Sequence, residues 1–235
     1  MFKLLSTANP KIQKGTKMGY LSFILHLAPA DLSGRETCPK RTAGCTAACL
    51  NTAGRGGMFK RGETTNTIQR ARIRKTQYFF ADRAGFMLDL AYDIQKAIRF
   101  AEKQGLTPVF RLNGTSDLSW EKYEVPVFCT RNIFELFPDV QFYDYTKVLG
   151  RKVADIPNYH LTFSKADGND SDVAEALLQG MSVVAVYDEI PAGVPSADET
   201  DLRFLDPKGI MLGLKAKGRA KKDYSGFVIR IKEAA

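Results

Sequence analysis

The chain has 235 residues, 44% of them hydrophobic and 26% charged, the balance of a globular protein long enough for one α/β domain with a full core. No apolar run approaches the ~20 residues that span a bilayer, so no membrane partner is expected. The formal net charge of +8 fits either a solvated surface or a phosphate-bearing partner such as nucleic acid, on which lysine and arginine displace condensed counterions.

Residues 1–17, MFKLLSTANPKIQKGTK, are polar and basic and read as an ordered N-terminal arm or a first irregular segment. They lack the long apolar core and cleavage site of a signal peptide. A reducing, intracellular compartment is expected, since a chain of this size does not need its four cysteines as disulfides. The segment 19–27 reads as a first strand, apolar on both faces as buried parallel strands are. After a cysteine-rich loop, Thr64–Thr67 offers caps for a helix through 69–75. A second helical pattern covers 86–98, with Phe86, Leu90, Ile94 and Ile98 on one stripe and Gly105 beyond its end. Strands follow at 108–112, 140–145, 159–163, 182–187 and 226–231, with helices at 133–137 and 173–179 between them. Residues 191–206 read as a surface excursion.

Strands alternating with helices predict βα units and a mostly parallel sheet. The expected fold is a single α/β domain over residues 1–235, a partial or complete TIM-like βα barrel with the cysteine loop after its first strand. Polar residues collect after each strand: Asn113 and Asp117, Asp144 and Lys147, Ser164 and Lys165, Asp188 and Glu189. The C-terminal edge of such a sheet is where sites form.

The chemistry points to residues 37–57, TCPKRTAGCTAACLNTAGRGG. This stretch carries three of the four cysteines, Cys38, Cys45 and Cys49, and exits through Gly54, Gly56 and Gly57 around Arg55. Thiolates select soft metals, chiefly iron–sulfur clusters or zinc. Structural zinc usually takes two short Cys/His pairs. There is no second pair here, and His26 and His160 are isolated. A three-thiol loop suits a [4Fe–4S] cluster whose fourth iron is left to another ligand. A zinc site or an ordinary cluster of reduced thiols remains open. The glycines are expected to bring backbone N–H groups close to the bound group. Arg55 and Asn113 are expected beside the cofactor, and Asp117, Asp144 and Lys165 are the candidate catalytic residues around the open iron. Cys129 reads as a small packed thiol rather than the fourth ligand, His160 as a core histidine, and Trp120 as either a pocket wall or a core residue.

Six blocks in order carry a family likeness: the cysteine loop, ARIRKTQYF, RLNGTSDLSWE, FPDVQFYDYTK, YHLTFS and LGLKAKGRAKKDYSGFV. Together they resemble the phage gene product 88 family. The resemblance implies a viral protein with a cysteine-ligated site, acting in the cytoplasm of the infected bacterial host; it supplies no reaction. A fold-level likeness to radical SAM enzymes, which also place three cysteines after the first strand of a partial barrel, implies S-adenosylmethionine as one ligand for the open iron. The spacing here, x6 and x3, departs from the Cys-x3-Cys-x2-Cys of those enzymes. The functional expectation is an iron–sulfur protein, enzymatic or redox, with a small-molecule substrate or redox partner. The alternative is a zinc- or cluster-stabilised module for nucleic acid.

Overall fold

The structure is a computed structural model and describes residues 3–7, 10–126 and 131–231. In chain order its elements are β1 (Leu5–Ser6), α1 (Pro10–Thr16), β2 (Tyr20–Leu25), α2 (Ala30–Ser33), α3 (Ala43–Ala47), α4 (Thr67–Ala81), α5 (Arg83–Glu102), β3 (Thr107–Arg111), β4 (Glu124–Val125), β5 (Arg131–Asn132), α6 (Ile133–Leu136), β6 (Gln141–Thr146), β7 (Tyr159–Ser164), α7 (Asp170–Leu178), β8 (Val183–Tyr187), β9 (Met211–Lys215) and β10 (Val228–Ile229). No helix among the described residues is long and apolar enough to cross a membrane.

The central sheet runs β2-β3-β6-β7-β8-β9 with every neighbouring pair parallel and in sequence order. Each crossover therefore moves on to the next strand, and the order never reverses. β1 pairs antiparallel with the outer edge of β2. The mostly parallel sheet agrees with the sequence. The closed barrel is not seen: among the described residues β9 pairs with β8 and β1 with β2, and nothing joins the two ends.

β8 has an unusual set of partners. β9 follows it along its whole length, from Val183 to Tyr187. Its other edge is shared, with β7 pairing Val183 and Val184 and β10 pairing Val186 and Tyr187. A strand has two edges, so β7 and β8 must part beyond Ser164, and β10 fills the gap. The split opens at the C-terminal edge, where the loop after β7 leaves the sheet.

Successive strand residues face opposite sides, and the two faces are covered differently. On one, Phe23, Phe110 and Phe142 lie side by side across three strands, with ring centroids 5.3 and 5.5 Å apart. They belong to the main core with Phe79 of α4 and Phe86, Leu90 and Ile94 of α5. On the other, Val109 and Tyr143 pack with Leu202 and Phe204. Here Arg111 pairs with Asp201 at 2.8 Å, and the Tyr145 hydroxyl also donates to Asp201. Residues 196–206 are thus a packed layer rather than a surface excursion: Ala197, Asp201, Leu202 and Arg203 are all buried. The N-terminal segment is ordered, in keeping with the sequence reading. Leu4, Leu5 and Ile12 are buried in the main core, and the Leu4 and Leu5 N–H groups donate to the buried Asp93 carboxylate.

If residues 196–206 are a structural layer, Leu202→Ala should lower unfolding stability by about 2–5 kcal/mol through the cavity it leaves. Leu178→Ala, at a side chain 84% exposed, should change it by under ~0.5 kcal/mol. Denaturant unfolding of the two variants checks this; equal small effects would mean the layer is only loosely attached.

Candidate functional site

The three loop cysteines come together at the C-terminal edge of the sheet, and the local sequence explains how. Leaving β2, the chain is pinned at Ala28, whose N–H donates to Thr76 of α4 at 2.7 Å and whose carbonyl accepts the Thr37 hydroxyl at 3.0 Å. The Thr37 carbonyl in turn accepts the Asp117 N–H at 2.7 Å, tying the residue before Cys38 to the loop after β3. Cys45 sits on the short α3. The Thr42 hydroxyl caps that helix by accepting the Cys45 N–H at 3.1 Å. The Asp167 carboxylate, from the loop where β7 leaves β8, accepts the Gly44 and Cys45 N–H groups at 3.0 and 3.2 Å and bonds Thr42 as well. A negative charge at the exposed N–H groups of a helix start stabilises it. A Cβ at Gly44 would crowd the Ser225 hydroxyl and lie 2.6 Å from the Asp167 carboxylate, so a larger residue there would push those side chains aside. Just past the end of that helix, the Cys49 sulfur accepts the Asn51 N–H at 3.5 Å. Arg72 of α4 then holds Asn51 through its carbonyl and side-chain oxygens, at 3.1 and 2.7 Å.

All three cysteines are free and half-buried, and they are close enough to influence one another. Burial, then the neighbouring Asp117 carboxylate and Cys49, push the Cys38 thiol up to about 12. Burial also raises Cys49, against the Asn51 N–H. Both are therefore thiols at neutral pH, unlike the low-pKa thiolates of nucleophilic cysteines. The group set near them is the Lys147 ammonium, whose charge is coupled first of all to Cys45. Burial works against that charge, but Cys45 and the Asp117 carboxylate outweigh it and raise its pKa above the ordinary lysine value. Lys147 follows β6, and its backbone N–H donates to the Asp117 carboxylate at 2.7 Å. A bound metal would displace the thiol protons. Among the described residues no three His, Cys, Asp or Glu side chains converge tightly enough to hold a single ion.

The other expected site residues fall at graded distances from the sulfurs. Asp117 borders them through its coupling to Cys38. It is buried, and its Oδ1 has no hydrogen-bond partner, standing 3.9 Å from the Arg151 guanidinium. Asp144 lies behind it and is fully buried, accepting the Asn113 N–H at 2.7 Å and the Tyr159 hydroxyl at 2.9 Å. Asn113 is committed to its own loop: its side-chain oxygen takes hydrogen bonds from Ser116, Leu118 and the Trp120 indole, and its amide donates to Leu118. It organises the loop rather than reaching toward the sulfurs. Lys165 is on the next loop but turns to the exposed Asp170, 2.8 Å away. Arg55 lines a separate cleft with Lys60 and Arg70. The glycines around it serve the chain itself: a Cβ on Gly57 would strike the Thr52 carbonyl. Trp120 is a core residue, packed on Phe79. His160 is half-buried beside Thr162, and burial first of all keeps it neutral. Cys129 lies outside the described residues. Lys147, Asp167 and Arg72 are the functional neighbours that sequence reasoning did not select. Lys147 and Asp167 follow strands, which is a signal of place, but nothing in their spacing marks them as facing sulfur.

Asp144 gives the edge a pH dependence. Burial raises its pKa to about 7, against the Asn113 N–H, Arg111, the Tyr159 hydroxyl and Arg151. A carboxyl with a folded pKa above its unfolded value of ~3.9 favours the folded state when protonated, and that contribution is lost as pH rises. Relative to Asp144→Asn, the wild type should lose unfolding stability between about pH 4 and pH 7 and level off above. Chemical denaturation of both proteins across that range checks it; a constant difference would contradict the assignment.

No curated protein and no solved structure matches this chain, so the radical SAM likeness finds no support among known folds. The sequence does match the family described as Gene product 88, from residue 3 to residue 231. A match over nearly the whole chain, through the cysteine loop and every strand of the sheet, shows that this chain belongs to the Gene product 88 family.

Proposed function

We propose that this protein is a phage-encoded iron–sulfur protein of the infected host's cytoplasm. In it Cys38, Cys45 and Cys49 hold one [4Fe–4S] cluster whose fourth iron takes a ligand other than these thiols. The observation that carries the reading is the convergence of three thiols with the Lys147 ammonium at the C-terminal edge of a parallel sheet. One tetrahedral zinc, with Zn–S bonds near 2.3 Å, would need its sulfurs about 3.8 Å apart. A cubane binds each thiolate at a different iron and so accepts donors set farther apart. The three cysteines are coupled to one another through Cys49, and a cluster is the group we assign to them.

The surroundings suit an anionic cluster. Lys147 supplies positive charge, and Arg72 anchors the loop at Asn51. The Asn51 N–H already points at the Cys49 sulfur. Such charges and N–H donors stabilise a thiolate-ligated cluster and raise its potential. The thiol loop follows the first strand of a sequentially ordered parallel sheet, at the edge where sites form. S-adenosylmethionine is the first exogenous ligand to offer the fourth iron. Asp117, coupled to Cys38, is the carboxylate suited to orient whatever binds there, a small-molecule substrate or a redox partner's ligand.

Purified and reconstituted without oxygen, the protein should carry about four irons and four sulfides. Cys38→Ala, Cys45→Ala and Cys49→Ala should each lose most of the iron. Stoichiometric zinc without iron, or full iron in the cysteine variants, would contradict the reading.

A further inference from the structure

A second feature lies on the outer side of the cysteine loop and concerns charge. Segments 50–75 and 215–222 contain twelve lysines and arginines against one acidic residue, Glu63. That local excess of eleven is larger than the +8 of the whole chain, so the rest of the molecule is net acidic. The asymmetry is spatial as well as sequential. The Gly218–Lys222 turn packs on the cysteine loop, with Gly218 close against Ala53 and with Ala216 and Ala220 clustered on Ala48. From the other side, the Asn66 amide at the start of α4 donates to the carbonyls of Arg55, Gly56 and Met58 at 3.1, 3.0 and 2.9 Å. The loop that leaves Cys49 is thus clamped between the two basic segments and joins them into one face.

Not all of these cations are available. Arg72 and Lys75 turn inward, to Asn51 and the Leu4 carbonyl, and Lys217 pairs with Asp198. Arg55, Lys60, Arg61, Arg219, Lys221 and Lys222 are exposed and form no ion pair among the described residues. Beside them is a cleft of about 250 Å³ lined by Arg55, Lys60, Arg70 and Met58, with Glu63 its one carboxylate. Apolar groups are interleaved with the charge: Met58 is 70% exposed and Phe59 40%. These six cations sit on loop and 3-10 turns, not on the helix or the paired ribbon that enters a duplex major groove. Cations that follow a backbone, set among exposed aromatic side chains, are the elements of single-strand binding.

We propose that this face binds single-stranded nucleic acid, with the phosphates on Arg55, Lys60, Arg61, Arg219, Lys221 and Lys222 and a base stacked on Phe59. The inference stands on the surface and does not depend on what the thiols hold. It is tested on the full-length protein, as purified, by fluorescence anisotropy with a labelled oligothymidylate of about 16 nucleotides, the upper end of single-domain site sizes. Binding should weaken with salt, and the quadruple variant Lys60→Ala/Arg61→Ala/Lys221→Ala/Lys222→Ala should reduce the log–log salt slope by about 0.7 for each phosphate contact removed. Phe59→Ala should weaken binding about tenfold with the slope unchanged, the loss of one stacked base. Lys103→Ala/Lys208→Ala, exposed residues at the opposite edge of the strands, should bind as the wild type does. Thermal melts followed by circular dichroism should leave all three variants folded, since every altered side chain is exposed. Three results would overturn the proposal: no binding by folded wild type, binding unchanged in the quadruple variant, or retention by phosphatidylserine vesicles alone. Equal affinity for duplex, with Phe59→Ala neutral, would overturn the single-strand assignment.

Discussion

The buried Asp117 carboxylate and its neighbours join three strand ends into one site. Its N–H donates to the Thr37 carbonyl, its Oδ2 accepts the Lys147 N–H, and the Thr37 hydroxyl reaches back to Ala28. The loops after β2, β3 and β6 are thereby locked in register with one another. Cys38 follows Thr37 directly, and Lys147 carries the ammonium whose charge is coupled to Cys45. A buried carboxylate is costly unless its oxygens are used. The site depends on that cost being offset by the Lys147 N–H and the nearby Arg151, itself held by Glu121.

A second tie comes from further along the chain. Asp167 reaches α3 only because β7 and β8 part beyond Ser164, which frees the loop after β7 to swing over the cysteine helix. β10 fills the opening and brings with it the Gly218–Lys222 turn that packs on Ala48. One irregularity of the sheet therefore positions Cys45 and also builds the basic face behind Cys49. The thiol pocket and the charged surface share the same short loop, so a change in the state of the sulfurs would be felt at Leu50–Gly57.

Where the sequence was informative, the reason was periodicity. The helix over 86–98 and the strands at 108–112, 140–145 and 159–163 appear within a few residues as α5, β3, β6 and β7, because apolar residues repeat there at the period of the element. β9 was hidden because Met211-Leu212-Gly213-Leu214 is short and broken by a glycine, present because a Cβ would lie 2.6 Å from Ile190. The segment 196–206 looked like a loop because its buried residues include charged ones: Asp201 meets Arg111 of β3 far away in sequence, and Arg203 is held by Asp206 and Thr200 beside it. The same limit applies at the site. Three cysteines in a loop announce themselves, and the strand-end rule found the right edge for Asp117. It could not separate Lys147, whose charge is coupled to Cys45, from Lys165, which meets Asp170. Asn113 had the position of a binding residue and the hydrogen bonds of a structural one.

The central claim is that three thiolates hold a cluster with one iron left to a different ligand. Mössbauer spectroscopy of the isotopically enriched, anaerobically reconstituted protein tests it most directly. About a quarter of the iron signal should differ from the rest and shift when an exogenous ligand is added, as expected for one distinct site in a cubane. Four equivalent irons that ignore added ligand, or no cluster signal in a correctly folded protein, would contradict the account.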